Sequence, residues 1–273
     1  MLHRPPACLG DGQKEGLATT VPLRSFDSGN DRFEEGMDVV MAQPVDNDPE
    51  AFADQSCRRC GTCCRKGGPA LHQADRSLVD EGLIPAEALY TIRPGEPVQD
   101  NVAGRPAYAS DDIIKIKGTG ANWCCRFLDD QTNRCTMYDR RPLECRSLQC
   151  WDTRSIEALY DRDRLTRRDL LGGIAGLWEL IEDHDRRCSY RVLREQAARL
   201  ASRPARQTPA LAAITDMVKY DESLRRLLVE NGHASESLLD FLLGRPLVAS
   251  LHGFHVKVER AGERVRLTCS IRH

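Results

Sequence analysis

Four cysteines fall within one eight-residue stretch, Cys57, Cys60, Cys63 and Cys64, in the pattern C-x2-C-x2-C-C. Two intervening residues let a chain curl so that both thiolates reach one metal, and tetrahedral zinc and iron–sulfur sites share that spacing. Adjacent side chains diverge on extended backbone, so Cys63 and Cys64 need not serve one ion. A second group follows as Cys125, Cys135, Cys145 and Cys150, at longer spacings. Asp129-Asp130 begins a turn between them, and Pro142 fixes another. Eight thiols suffice for two four-thiolate sites, or for one cluster and a different metal.

Nine of the twelve cysteines lie between Cys57 and Cys150, with only Cys8, Cys188 and Cys269 outside. Structural cysteines would instead scatter singly as small buried hydrophobes. The start of the chain lacks the apolar stretch of a secretory signal, and no run approaches the length of a membrane span. A cytoplasmic protein with reduced thiols is expected, in which clustered cysteines signify metal ligands or redox chemistry. Arg58, Arg59, Arg65 and Lys66 flank the first group with no acid among them. Such cations offset the negative charge of a thiolate site and favour its ionised form.

These motifs carry a resemblance. The C-x2-C-x2-C-C run, followed by Cys125 with Phe127 and Leu128, Cys135 with Tyr138, and Arg141-Pro142 with Cys145-Arg146, resembles the YkgJ-type cysteine-cluster proteins, described as zinc- or iron-chelating domains. The resemblance covers about residues 57–150, with a long unmatched stretch between the two cysteine groups. It implies a metal or iron–sulfur domain and leaves the reaction open. One branch of that family is similar to flagellin lysine methylases, which implies an iron–sulfur modifying enzyme as one possibility. Cys150 is a less general feature of the pattern, and Cys124 stands as an extra residue beside Cys125.

The expected metal ligands are therefore Cys57, Cys60, Cys63, Cys64, Cys125, Cys135, Cys145 and Cys150, holding an iron–sulfur cluster (4Fe-4S) or zinc. The preferred function is metal binding through cysteine thiolates, as an iron–sulfur cluster, with an iron–sulfur oxidoreductase or protein-modifying (methylase-like) enzyme as the reading that would follow from it. The alternative is a non-enzymatic zinc module that stabilises an interaction surface. A thiol oxidoreductase working through Cys63-Cys64 or Cys124-Cys125 fits less well, because no βαβ pattern surrounds Cys57 or Cys60. The partner is an unidentified protein or small molecule. A pI near 6.4 and 5% aromatic residues give no basic face or stacking platform for nucleic acid.

Outside the clusters the residues favour bland accounts. His184 and Cys188 sit four apart and could share a helix face as ligands, but a surface histidine beside a half-buried cysteine is commoner. His252 and His255 suit a polar loop. Gly172, Gly173 and Gly176 lack the order of a dinucleotide fingerprint. Glu144 and Tyr138 could exchange protons near a metal, although Tyr138 suits an amphipathic core position better.

The elements that must position these residues define an α+β, mainly helical chain: a compact cysteine-rich core, a helical C-terminal region and a terminal β-hairpin. Residues 1–50 carry four basic and ten acidic residues without helical or strand period, and are expected to be a disordered leader. Residues 51–152 form the cysteine-rich domain and 153–273 the helical region. Ala70 to Gly82 and Pro85 to Ile92 predict short helices, and Ile113, Ile114 and Ile116 a strand ending at Gly118. Thr166 and Asp169 have capping-box spacing, ahead of Leu170, Ile174, Leu177, Trp178 and Ile181 on one helical face. Further helices are expected from Tyr190 to Ser202, from a Thr208 cap to Gly232, and from Ser235 to Leu243. Alternation around Ala261-Gly262 predicts the hairpin.

Overall fold

The computed structural model describes residues 57–202, 209–261 and 264–269. The acidic leader, Cys8, the Thr208 cap and the Gly262 turn lie outside them. The described chain is α+β and mainly helical, and its strands pair in two-stranded antiparallel ladders. No helix among the described residues is long and apolar enough to cross a membrane.

The first half winds around one ladder. A short helix, α1 (Arg76–Asp80), is preceded by a 3-10 turn at Gln73–Asp75 and ended by Gly82. It is shorter than the sequence suggests, because Ala70 is extended and bridges to Lys115. The Pro85–Ile92 expectation needs correcting more sharply. Only Ala86–Ala88 makes a helical turn, and Leu89–Ile92 is strand β1. Its Leu-Tyr-Thr-Ile sequence is aromatic and β-branched, and all four residues are buried. Their backbone groups find partners in β4 (Ile113–Ile116), with Leu89 opposite Ile116 and Ile92 opposite Ile113. Between these strands runs an additional hairpin, β2 (Pro97–Asp100) with β3 (Arg105–Tyr108). Three short elements follow β4 toward the cysteines: β5 (Gly118–Thr119) pairs with β6 (Cys124–Cys125), and β7 (Leu128–Asp129) with β8 (Arg134–Cys135). Helices α2 (Leu143–Ser147) and α3 (Arg154–Glu157) complete this half.

The second half is helical. The Thr166 capping box forms as expected: the Thr166 hydroxyl accepts from Asp169 N–H at 3.3 Å, and Asp169 accepts from Thr166 N–H at 2.8 Å. The helix it starts, α4 (Arg167–Leu171), stops at Gly172, and α5 (Leu177–Arg187) begins only after Gly176. The single apolar face expected through Ile181 is thus broken by glycines, leaving Ile174 exposed. Then come α6 (Tyr190–Ser202), α7 (Pro209–Glu230), α8 (Glu236–Leu242), α9 (Leu247–Ser250) and the hairpin of β9 (Val256–Ala261) with β10 (Arg264–Cys269).

One apolar cluster joins residues from both halves: Leu71, Ile84, Leu89, Ile114 and Ile116 meet Leu165, Ile181, Phe241 and Leu242. A second gathers Tyr190, Leu193, Ile214, Val218, Leu251 and Phe254. Between distant segments runs a web of buried charges. Arg167 donates twice to Asp112, each at 2.8 Å, and also to Asp185 at 2.5 Å and to the Leu242 carbonyl at 2.8 Å. Asp185 in turn accepts from Arg93 at 3.1 Å. Against the pull of burial, bonding to His184 and the charges of Arg167 and Arg93 hold the Asp185 carboxyl well below its ordinary range. Arg93 passes so near Gly244 that a Cβ there would meet it at 2.9 Å.

Removing one member of a buried ion pair strands the other in a dry interior. Arg167→Met is therefore expected to cost about 3–5 kcal/mol, read as a lower urea midpoint at unchanged slope. A loss below ~1 kcal/mol, the scale of a surface pair, would show that Asp112 and Asp185 are satisfied without it.

Candidate metal centre

The cysteine run is attached to β4 by a close backbone approach. A Cβ on Gly68 would lie 2.2 Å from the Ile116 carbonyl oxygen. Glycine lets the following residues lie along the free edge of β4, where Leu71 N–H donates to the Ile114 carbonyl at 2.9 Å and Ile116 N–H to the Pro69 carbonyl at 3.0 Å. Just before this junction, Cys64–Lys66 form a 3-10 turn, and Arg65 N–H donates to the Gly61 carbonyl at 3.0 Å. Gly61 takes φ +72°, and its missing Cβ leaves room for the Arg65 guanidinium. That guanidinium holds the loop by donating to the Cys60 carbonyl at 3.1 Å and to Asn133.

The other group is delivered by three local devices. Cys125 leaves β4 by the β5–β6 turn, opposite Gly118. Cys135 faces Leu128 across β7–β8, whose turn is closed by Asp129 accepting from Gln131 N–H at 2.9 Å and the Thr132 hydroxyl at 2.6 Å. Cys145 sits on α2, whose first turn is fixed by buried Asp75 accepting from Leu143 N–H at 2.8 Å. Its neighbour Glu144 accepts from Ala70 N–H at 2.8 Å and faces His72 Nε2 at 3.4 Å. The segment Ala70–Asp75 thus anchors α2. Glu144 is legible beside Cys145, while His72 and Asp75 are far from Cys145 in sequence. Their capping-box spacing was the available signal.

Cys63, Cys64, Cys125 and Cys145 line one cavity of about 140 Å³, together with Glu144 and Ile156. Cys63 and Cys64 bring their sulfurs to 4.0 Å despite being adjacent in sequence. Cys135 lies near enough for its charge to bear on Cys64 and Cys125. Cys57, Cys60 and Cys150 are exposed, and the charges acting on Cys150 are those of Cys63, Cys60 and Cys57. The structure therefore draws the two sequence groups into one neighbourhood, with Cys63 common to a half-buried set and an exposed set.

Its electrostatics suit a cation. The Cys64 thiol lowers the Cys63 pKa to about 6 by donating to its thiolate, burial opposes this, and Arg141 assists. Cys64 is pushed up by the same pair, by burial and by the surrounding thiols. Burial raises Cys145, and Cys125, Cys63 and Cys135 raise it further. Burial likewise raises Cys125 and Cys135. These thiols cannot all ionise together without a counter-charge, which a thiolate-bound metal supplies. The donor set around the cavity, four sulfurs with one carboxylate already bonded to Ala70 N–H, fits zinc or iron–sulfur chemistry.

The expected flanking cations play varied parts. Arg65 is bound to Cys60 and Asn133, and Arg59 lies over the Tyr138 ring at 3.9 Å. Arg141 stacks on the same ring at 3.6 Å while donating to the Tyr138 carbonyl at 2.8 Å. Tyr138 is thereby a half-buried platform for two guanidiniums.

His184 and Cys188 prove to be buried, and with Asp221 form a triad whose ligand atoms lie within 4.8 Å of one another. Asp221 already accepts from His184 at 2.8 Å, Arg225 at 3.0 Å and Leu247 N–H at 2.8 Å. This is a structural ion network linking α5, α7 and α9.

Residues 56–163 match the model of the family described as "CxxCxxCC: Putative zinc- or iron-chelating domain". No curated protein and no solved structure matches the chain.

In metal-free protein, carbamidomethylation of Cys63 by iodoacetamide is expected to fall off as pH drops through about 6, because its thiolate persists above that value. Cys145, with its pKa raised, should remain unlabelled at pH 7. Peptide mapping by mass spectrometry checks both, and equal labelling of the two at pH 7 would contradict the geometry.

Proposed function

We propose that this protein binds metal through cysteine thiolates, as an iron–sulfur cluster of the 4Fe-4S type held in a redox or protein-modifying enzyme of a reducing compartment. The proposed ligands come from Cys57, Cys60, Cys63, Cys64, Cys125, Cys135, Cys145 and Cys150. One observation carries the reading: Cys63, Cys64, Cys125 and Cys145, from segments sixty residues apart, line a single cavity. Four thiols facing one cavity are the donor number that a 4Fe-4S cluster takes. The match to a zinc- or iron-chelating family supports metal binding and leaves the choice of metal to experiment. The exposed thiols Cys57, Cys60 and Cys150 favour a second, smaller site at the surface.

Anaerobic purification with metal and sulfide analysis tests this. Brown protein containing iron and acid-labile sulfide in similar amounts is expected. Colourless protein with stoichiometric zinc would replace it with a zinc module. Cys145→Ser should lose iron and sulfide together, since a hydroxyl is a poor ligand at neutral pH. Cys188→Ala, in the second apolar cluster, should retain both.

Metal is also proposed to support the fold of residues 57–152, so that a chelator should expose this segment to protease. The amphipathic helices beyond residue 176 should keep their far-UV circular dichroism. A cysteine-rich segment still protease-resistant after full chelation would make the metal peripheral to folding.

A further inference from the structure

Strand β4 reads Ile-Ile-Lys-Ile, and its two faces meet different surroundings. Ile114 and Ile116 are fully buried in the first apolar cluster. Ile113 and Lys115 point the other way, into a cavity of about 470 Å³, a size typical of small-molecule sites. Lysine is a poor strand former, and a half-buried one beside isoleucines calls for a reason. Its ammonium makes no hydrogen bond or ion pair among the described residues. Glu144 also lines the cavity; its carboxylate is bonded to Ala70 N–H and His72, and its charge acts on the Lys115 ammonium without a hydrogen bond between them.

A second cation shares this wall. Arg164 donates to the Tyr160 carbonyl and lies over the Tyr160 ring at 5.1 Å, while its buried Nε has no acceptor. Arg245, which also reaches the cavity, is committed to Glu96 at 2.7 Å. Two cationic side chains with unfilled hydrogen-bonding capacity therefore line a cavity of mixed character, apolar at Ile92, Val98 and Ile156 and polar at Gln99, Asn101 and Glu157. Buried cationic groups without partners are costly unless an anion completes them.

We propose that this cavity binds a small organic acid, its carboxylate on Lys115 and Arg164 and its apolar body against Ile92, Val98 and Ile156. The cavity shares Glu144 and Ile156 with the thiol-lined cavity, so the bound acid would lie beside the candidate metal centre. Burial disfavours the Lys115 ammonium, and a bound carboxylate would restore the balance. The inference does not depend on which metal the thiols hold.

Calorimetric titration of the full chain as purified with 4-phenylbutyrate and with its neutral isostere 4-phenylbutanamide tests the proposal. The two differ only in the charge that Lys115 and Arg164 would read. The acid is expected to bind at least about tenfold tighter than the amide, the scale of one charge-assisted hydrogen bond. Lys115→Met should abolish that preference while leaving metal content unchanged, and Arg164→Gln should reduce it. If Lys115→Met does not fold, Arg164→Gln alone decides. Equal binding of acid and amide, no binding of either up to about 5 mM, or a preference that survives the substitutions would overturn the proposal. Loss of metal without loss of acid binding would count against the metal reading and leave this one standing.

Discussion

Hydrogen bonding of β4 along both of its edges is the constraint on which the rest of the structure depends. One edge pairs with β1, and the other accepts Pro69–Leu71 as a short third line of backbone. Leu71 passes the connection on, its carbonyl accepting from Leu165 N–H at 2.9 Å. A peptide group buried without a partner costs as much as a lost hydrogen bond, so a chain that enters here must be held in register. The cysteine run ends where this register begins, at Gly68, and the second group starts just past it, beyond Gly118. A Cβ on Gly118 would lie 2.4 Å from the Trp123 carbonyl oxygen. Both thiol groups are therefore hung from one strand. Their convergence is a consequence of backbone pairing, before any metal bond is considered.

Charge then determines what that convergence can do. Thiols gathered from separate segments repel one another as thiolates, and burial raises their pKa values further. The fold supplies Arg141 near Cys63, held by Tyr138, and Arg126 acts on Cys125. Monovalent cations at the rim, Lys115 among them, cannot compensate four or more thiolates in the centre. A cation within the cavity can, because it bonds the sulfurs directly and withdraws their protons. On the far side of Glu144, the Lys115 ammonium has that carboxylate's charge but no hydrogen-bonded partner among the described residues.

The sequence made these two parts of the molecule unequally legible. Cysteine spacing is local chemistry, and the Thr166–Asp169 cap needs only three residues to declare itself. Isoleucines at 113, 114 and 116 likewise announce a strand. By contrast, Leu89–Ile92 is a strand only because β4 awaits it more than twenty residues later, and a proline with a helical turn ahead of it concealed this. Gly172, Gly173 and Gly176 interrupt an apolar period that looks continuous when only the hydrophobic positions are counted. Arg167 gives no local sign that it will reach Asp112, 55 residues away. Nor does Lys115, between Ile114 and Ile116, disclose that its face of the strand is covered. Period and capping are encoded within a few residues, whereas burial of a charge is decided by segments distant in the chain.

Two clusters of ligand-type side chains illustrate why proximity is a weaker criterion than satisfaction. His184, Cys188 and Asp221 are drawn close together and deeply buried, yet each acceptor of Asp221 is taken by His184, Arg225 or Leu247 N–H. Inserting an ion would break bonds that already balance the carboxylate, beside two arginines that would repel it. At the cysteines the order is reversed. Their sulfurs are more loosely gathered, they face open volume, and their fellow thiols supply repulsion where Asp221 finds donors. An interior site that is already neutral by its own hydrogen bonds resists a metal however well its atoms are spaced. A site whose groups oppose one another until a cation arrives gains the whole of that relief on binding, and it is this difference in unmet charge that separates the cysteines from the His184 triad.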